Sequence, residues 1–311
     1  MSALQDAISA GLNYILSSQA QDGAWTEWAL PPGPSSAWTT AYVGYQLRSL
    51  PPDLMKQAAP HLTHAAHWQC EHAFAEGGWG YNEWVGPDAD STSYAILFLA
   101  SLGRPAPDSA YTMLAELQRL DGGFATYLPL GEPTSWNVSH PDVTPMALLA
   151  MLTQPTPDRA LVERGIDYVL QQRTPQGLWH SFWWRSGLYG TRASLSLLDA
   201  LGIKASPSAS LTGIVPTNAF EMALLISSLL LVDRAGSQGS VGELVDGLVR
   251  QQRPDGSWES APILRITRRD CYTPWSSDDA GLLYAEPSRL FTTATVLHAL
   301  TGVQALFAQG H

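Results

Sequence analysis

Lysine is nearly missing from this chain: Lys56 and Lys204 are the only two. Arginine takes its place, as codon bias in a GC-rich genome would produce. Charged residues of every kind make up 14% against 45% hydrophobic, a balance that excludes wholesale disorder and provides for a large core. Basic residues are outnumbered 17 to 28, for a net charge of −11. That deficit argues against a nucleic-acid binder, which needs a basic footprint, and against docking on anionic lipid. Cys70 and Cys271 are too few for a disulfide scaffold and have no partner at metal-ligand spacing. No apolar run reaches the ~18–20 residues of a membrane span; the longest, Ala219–Val232, contains Glu221. The first residues lack a basic region followed by an apolar stretch, so no signal peptide is expected. The expectation is a soluble, cytoplasmic protein.

What the chain has in excess is aromatic: 12 Trp and 11 Tyr, more than packing demands. Some of them recur in a repeat. Gln19-Ala-Gln-Asp22-Gly23-Ala-Trp25 returns as Glu76-Gly77-Gly78-Trp79, and then as Gln118-Arg-Leu-Asp121-Gly122-Gly123-Phe124. Gln172-Arg-Thr-Pro-Gln176-Gly177-Leu-Trp179 and Gln252-Arg-Pro-Asp255-Gly256-Ser-Trp258 complete the set. Helix-like periodicity precedes the tags, as at 10–18, 166–172 and 244–252, and the glycine supplies a left-handed stop. A second helix follows each tag after an irregular stretch, at 39–50, 91–102, 142–152, 191–201 and 288–300. A sixth, at 216–232, stands where a tag is missing. Ser, Thr or Asp at their starts, and Pro145 and Pro216 in the first turn, fit helix N-termini. Six outer–inner pairs predict one all-α domain over 1–311, an α/α barrel of six helical hairpins. An open solenoid of the same pairs is the competing geometry.

Gln-x-x-Asp-Gly-x-Trp resembles the QW turn of the squalene–hopene and oxidosqualene cyclases. The stretch from Glu76-Gly-Gly-Trp79 to Asp88-Ala-Asp90-Ser91-Thr92 is similar to the segment of that family ending in Asp-x-Asp-Asp-Thr. Asp142-Val-Thr144 follows in the family's order, and Trp179 to Tyr189-Gly190-Thr191 is similar to its Trp/Tyr-Gly-Thr segment. The tags alone are weakly specific, since protein prenyltransferase subunits share them. The resemblance covers one barrel of the two in full-length cyclases, the one that carries the catalytic acid. It implies a class II terpene cyclase, which protonates an alkene or epoxide of a prenyl chain and guides the resulting carbocation to ring closure. Such an acid must stay protonated, as carboxyls crowded in a dry site do. Aromatic faces stabilise a cation without quenching it, at ~0.5–2 kcal/mol each.

By this resemblance Asp90 is the proton donor and Asp88 its supporting carboxylate. Ser91 replaces the family's fourth-position Asp, leaving a hydroxyl that can bond Asp88 or cap the helix. Met146 stands where the family has a histidine against the donor, and His140 is the nearby candidate to reach in instead. Trp38, Trp183 and Tyr189 match aromatic pocket positions; Tyr81, Trp136 and Asp142 complete the expected substrate-contacting set. The plain alternatives are a capping role for Asp88 and Asp90, a loop role for His140 and core packing for the aromatics and His298. Asp270-Cys271 with His298 lacks the spacing of the prenyltransferase zinc site, and Asp278-Asp279 lacks the completion of a magnesium motif. No metal or cofactor is expected. Arg265, Arg268 and Arg269 form the basic cluster that could meet a diphosphate, with a solvated loop as the alternative.

The partner expected is a small hydrophobic, prenyl-type substrate, and the protein itself a monomer or homodimer. With one barrel, the mouth must be closed by the segments 30–36, 128–141 and 263–287 acting as lids, or by a second copy. Two further readings stay open: a barrel that binds a hydrophobic metabolite without turnover, and a cyclase of polyketide or alkaloid substrates.

Overall fold

The computed structural model describes residues 2–129, 131–204, 209–232 and 238–309, which leaves residue 130 of the expected 128–141 lid outside the described residues. In chain order the helices are α1 (Ser2–Ser17), α2 (Ala37–Gln46), α3 (Pro52–Glu71), α4 (Ala89–Ser101), α5 (Asp108–Glu116) and α6 (Thr144–Met151). They continue with α7 (Arg159–Gln171), α8 (Leu188–Ala200), α9 (Ala209–Thr212), α10 (Ala219–Val232), α11 (Gln238–Gln251) and α12 (Leu290–Gln309). The even-numbered helices are the inner ones. Each packs on the next, and α12 closes the circle against α2, so the fold is an α/α barrel and the open solenoid is excluded. Composition decides which helix goes inside. Helix α10 reads AFEMALLISSLLLV and is apolar almost all round, whereas α7 and α11 carry a polar face to solvent.

The sequence tags are the clamps of this ring. Gln19 Nε2 donates to Gly23 O at 2.8 Å within its own turn and to His61 O of α3 at 2.9 Å. Gln118 repeats this with Gly122 and Leu161, and Gln252 with Gly256 and Ala7. The last pair joins the final turn to α1 and completes the outer circle. The indole N–H of Trp25, Trp79, Trp179 and Trp258 donates to Ile15, Gln69, Val169 and Leu248 O, satisfying carbonyls near an outer-helix end. Their backbone N–H groups, and that of Phe124, are held by Thr40, Thr92, Thr191, Thr293 and Thr144 of the inner helices.

The predicted inner helices begin within about three residues of the observed ones. Helix α10 differs in its cap: Asn218 Oδ1 accepts Glu221 N at 3.0 Å, and Pro216 lies before the helix. Helix α12 is capped by carboxylates that sequence reasoning missed. Glu27 accepts Ser288 N and Leu290 N, and Glu286 accepts Thr292 N.

Because every outer helix returns the chain, all six inner N-termini lie at one end of the barrel. The expected lids cover that end, and two contain strands in place of irregular chain. Strands β1 (Glu27–Leu30) and β2 (Gly33–Ser35) form one hairpin, and β3 (Leu264–Thr267) and β4 (Gly281–Tyr284) another. Asn82 Nδ2 ties the first hairpin down through Pro32 O and Pro34 O, both at 3.0 Å. Trp136 Nε1 donates to Thr267 O at 2.7 Å, and Thr267 Oγ1 to Phe182 O at 2.7 Å, joining the other lids. Among the described residues, no helix is long and apolar enough to cross a membrane.

Candidate active site

Asp88 is the N-cap of α4. Its Oδ1 accepts Ser91 N at 2.7 Å and its Oδ2 accepts Ser91 Oγ at 2.8 Å. The capping role therefore falls to Asp88 and Ser91, and Asp90 is free of it. Asp90 is buried in the first turn, and its Oδ1 has no hydrogen-bond partner. Burial lifts its pKa well above the carboxylate range, and the charges of Asp88 and Asp142 lift it further. The Trp38 indole stands near enough to oppose the rise but makes no hydrogen bond. Burial pushes Asp88 up to about 7 against its bonds from Ser91.

Asp142 supplies a third carboxyl, from the loop before α6. Its Oδ2 accepts Phe182 N at 2.8 Å and Trp183 N at 3.0 Å, while Oδ1 is unpartnered. Burial raises it to about 6, countered by those N–H groups and by Arg265. The carboxylate absent at Ser91 thus has a counterpart in Asp142, on another repeat. Three carboxyls at one dry end of the barrel cannot all ionise, so a proton is retained among them.

An aromatic shell surrounds Asp90's end of the lumen. Trp38 lies 6.3 Å from Trp28, 6.2 Å from Tyr81, 6.0 Å from Trp184 and 4.7 Å from Phe291, ring centre to ring centre. Tyr189 stacks on Trp184 at 4.2 Å and shares a 2.7 Å hydroxyl contact with Tyr94. Trp28 Nε1, Trp38 Nε1 and Tyr81 OH are all buried without a partner. Each such orphan costs ~1–3 kcal/mol of stability, so stability does not account for the cluster. Trp28 also has a φ of 59°, a left-handed backbone unfavourable for a bulky residue.

The remaining expected site residues form a second group beneath the lids. Trp136 and Trp183 pack 5.2 Å apart, and Met146 is fully buried on α6. His140 does not reach Asp90. Its Nε2 donates to Ser135 O at 2.8 Å, its Nδ1 accepts from Thr126 Oγ1 at 2.7 Å, and Phe182 stacks on the ring at 3.9 Å. Burial lowers its pKa to about 4, so it is neutral. The indole of Trp183 donates to Thr126 Oγ1 at 2.7 Å in the lid layer, whereas its neighbour Trp184 packs among the lumen aromatics. Trp28, Trp184, Tyr94 and Phe291 were missed by sequence reasoning; the only signal for Trp28 was its place just after the first tag.

The expected basic cluster disperses. Arg265 is buried on β3 with Nη1 unpartnered, Arg268 pairs with Asp270 and Asp279 at the surface, and Arg269 lies 4.8 Å over the Trp136 ring. His298 sits on α12 against Ser49 Oγ at 2.9 Å. Among the described residues, no three His, Cys, Asp or Glu side chains group as metal ligands do.

No known family profile matches the chain. It is 27% identical over 211 residues to the squalene-hopene cyclase of Schizosaccharomyces japonicus, covering 54% of this chain and 31% of that protein. It is 26% identical over 215 residues to the drimenyl diphosphate synthase of Streptantibioticus cattleyicolor, covering 60% and 39%. The chain thus spans about a third of the length of these curated relatives. Among solved structures, the type II terpene cyclase MstE from Scytonema, in complex with geranylgeranyl dihydroxybenzoate, superposes with a TM-score of 0.83 over 98% of each chain at 24% identity. A protein from Actinoplanes reaches 0.87 at 26% identity, over 96% of this chain and 99% of that one. In sequence the chain is thus similar to class II terpene cyclases over part of their length, and it shares the α/α-barrel fold of a type II terpene cyclase over nearly all of its own.

Proposed function

We propose that this protein is a proton-initiated cyclase of a prenyl or polyene chain, or of its epoxide, with Asp90 as the general acid. The observation that carries the reading is the bare Oδ1 of Asp90, buried beside an aromatic shell and held protonated by burial, Asp88 and Asp142. A carboxyl in that state delivers its proton to an alkene carbon that no hydrogen bond can otherwise activate. The developing cation then meets the faces of Trp38, Trp184 and Tyr189, which stabilise it electrostatically and exclude water. Asp88, locked by Ser91, is a fixed carboxylate neighbour; neutral His140 braces Thr126 and, through it, Trp183. The lids cover the inner-helix N-termini and keep the lumen dry. The relatives' printed names, squalene-hopene cyclase and drimenyl diphosphate synthase, and the prenylated benzoate bound by MstE support a prenyl substrate.

Incubation with a panel of prenyl alcohols, diphosphates, epoxides and prenylated aromatic acids, with mass spectrometry for cyclic isomers, tests the proposal. Cyclic products from wild type and none from Asp90→Asn support it. Retention of unconverted substrate without any product favours the second reading, a hydrophobic-metabolite binding protein, to which Ser91 and Met146 lend weight.

A further inference from the structure

At the end of the barrel opposite Asp90, five of the inner helices surround a cavity of about 360 Å³. Its polar lining comes from Tyr45, Arg48, Arg192, Ser196, Ser227 and His298, and leucines of α6, α10 and α12 make the apolar part. Tyr42 and Tyr94 stand between this cavity and the acid cluster, feeling the charge of Asp90 from one side and of Arg192 from the other.

Among the described residues, no carboxylate pairs with either guanidinium group. Arg192 is 5% exposed, and among the described residues neither it nor Arg48 forms an ion pair. Asp199, the carboxylate of the lining, sits at the exposed rim. His298 adds no compensation; burial, then Arg48 and Arg192, hold it neutral. The negative C-terminal ends of the inner helices account for Arg48, whose Nη1 donates to Tyr45 O at 2.8 Å beside the end of α2. They do not account for Arg192, which lies in the second turn of α8, well before its end at Ala200. Arginine keeps its proton under burial, so the missing negative charge must come from elsewhere.

We propose that this cavity is a second binding site, for a small amphiphile whose phosphate or diphosphate headgroup pairs with Arg192 and Arg48 while its apolar stem lies along the leucines. Planar guanidinium forks match phosphate oxygens in pairs, and Ser196, Ser227 and neutral His298 add hydrogen-bonding groups. The inference stands independently of the cyclase reading, because no group of the acid cluster lines the cavity.

Isothermal titration of the full chain with inorganic pyrophosphate and with geranyl diphosphate tests it. Pyrophosphate is expected to bind, and geranyl diphosphate at least tenfold more tightly. Arg192→Met should weaken each by tenfold or more, Arg192→Lys should restore part of the affinity, and Asp90→Asn should leave pyrophosphate affinity unchanged. Since Arg192→Met removes an uncompensated buried charge, it is expected to melt no lower than wild type without ligand; should it fail to fold, Arg48→Met carries the comparison. Absence of pyrophosphate binding, or binding that survives loss of the arginine, overturns the site. Equal affinity for the two ligands overturns the apolar stem.

Discussion

Ser91 holds Asp88 through two hydrogen bonds, from its N–H to Oδ1 at 2.7 Å and from its hydroxyl to Oδ2 at 2.8 Å. This lock satisfies the helix N-terminus and spends Asp88's oxygens on it. Asp90, two residues on, keeps an oxygen that has no hydrogen-bond partner. The division of labour between two aspartates separated by one residue is what makes one structural and the other chemically available.

Asp90→Asn preserves shape and hydrogen-bonding capacity while removing the acidic proton. Turnover should fall by ~10²–10⁴-fold or more, with the melting temperature at or above wild type because a buried ionisable group is gone. Product yield measured beside circular-dichroism melts checks this; a variant that keeps most of its activity would mean the proton comes from another group.

Ser91→Asp places a like charge beside Asp88 and Asp90. One apparent pKa of the cluster should rise, moving the alkaline limb of the activity profile to higher pH. Rate profiles of the two proteins across the alkaline range decide it. An unmoved limb with an intact fold would show that Asp142 already saturates the effect.

Stability should decline from about pH 7 to about pH 9. Asp88 is raised to about 7 and Glu286 to about 8, chiefly by burial, and Asp90 stands well above its ordinary value. A carboxyl whose folded pKa is raised binds a proton the unfolded chain has released, so its contribution is lost as pH rises through the folded value. Denaturant midpoints in that window should move steadily downward; a flat or rising trend would show that these groups ionise without cost.

Gly256→Ala and Gly103→Ala form a matched pair. Each glycine has positive φ, 90° and 68° respectively, but a Cβ at Gly256 would stand 2.3 Å from Ala10 O, whereas nothing lies within 4 Å at Gly103. The second substitution should cost only the left-handed strain, ~1–2 kcal/mol, and the first clearly more, because it forces the last tag away from α1. Equal losses in denaturant titrations would mean that ring closure at this contact contributes little.

Local chemistry made much of the barrel legible in advance. A glycine stop, a glutamine before it and a tryptophan after it define a turn whatever the distant surroundings, so the tags, the alternation of helices and the positions of Asp88 and Asp90 could be read along the chain. The lids were legible as long segments between helices, but their strands were not, since Glu27–Leu30 and Gly281–Tyr284 are short and acquire their pairing only from the partner strand.

The sequence by itself thus determined the helical repeat, its turn chemistry and the acid pair, all set by neighbours within a few residues. Only the tertiary structure decided that the ring closes through Gln252 and Ala7, that Asp142 joins the acid cluster, that Trp184 and not Trp183 packs in the lumen, and that Arg48, Arg192 and His298 share a cavity. Those groups come from separate repeats and meet only when the inner helices pack side by side. Burial, which sets the protonation of Asp90 and the cost of an unpaired Arg192, exists only once that packing has excluded water.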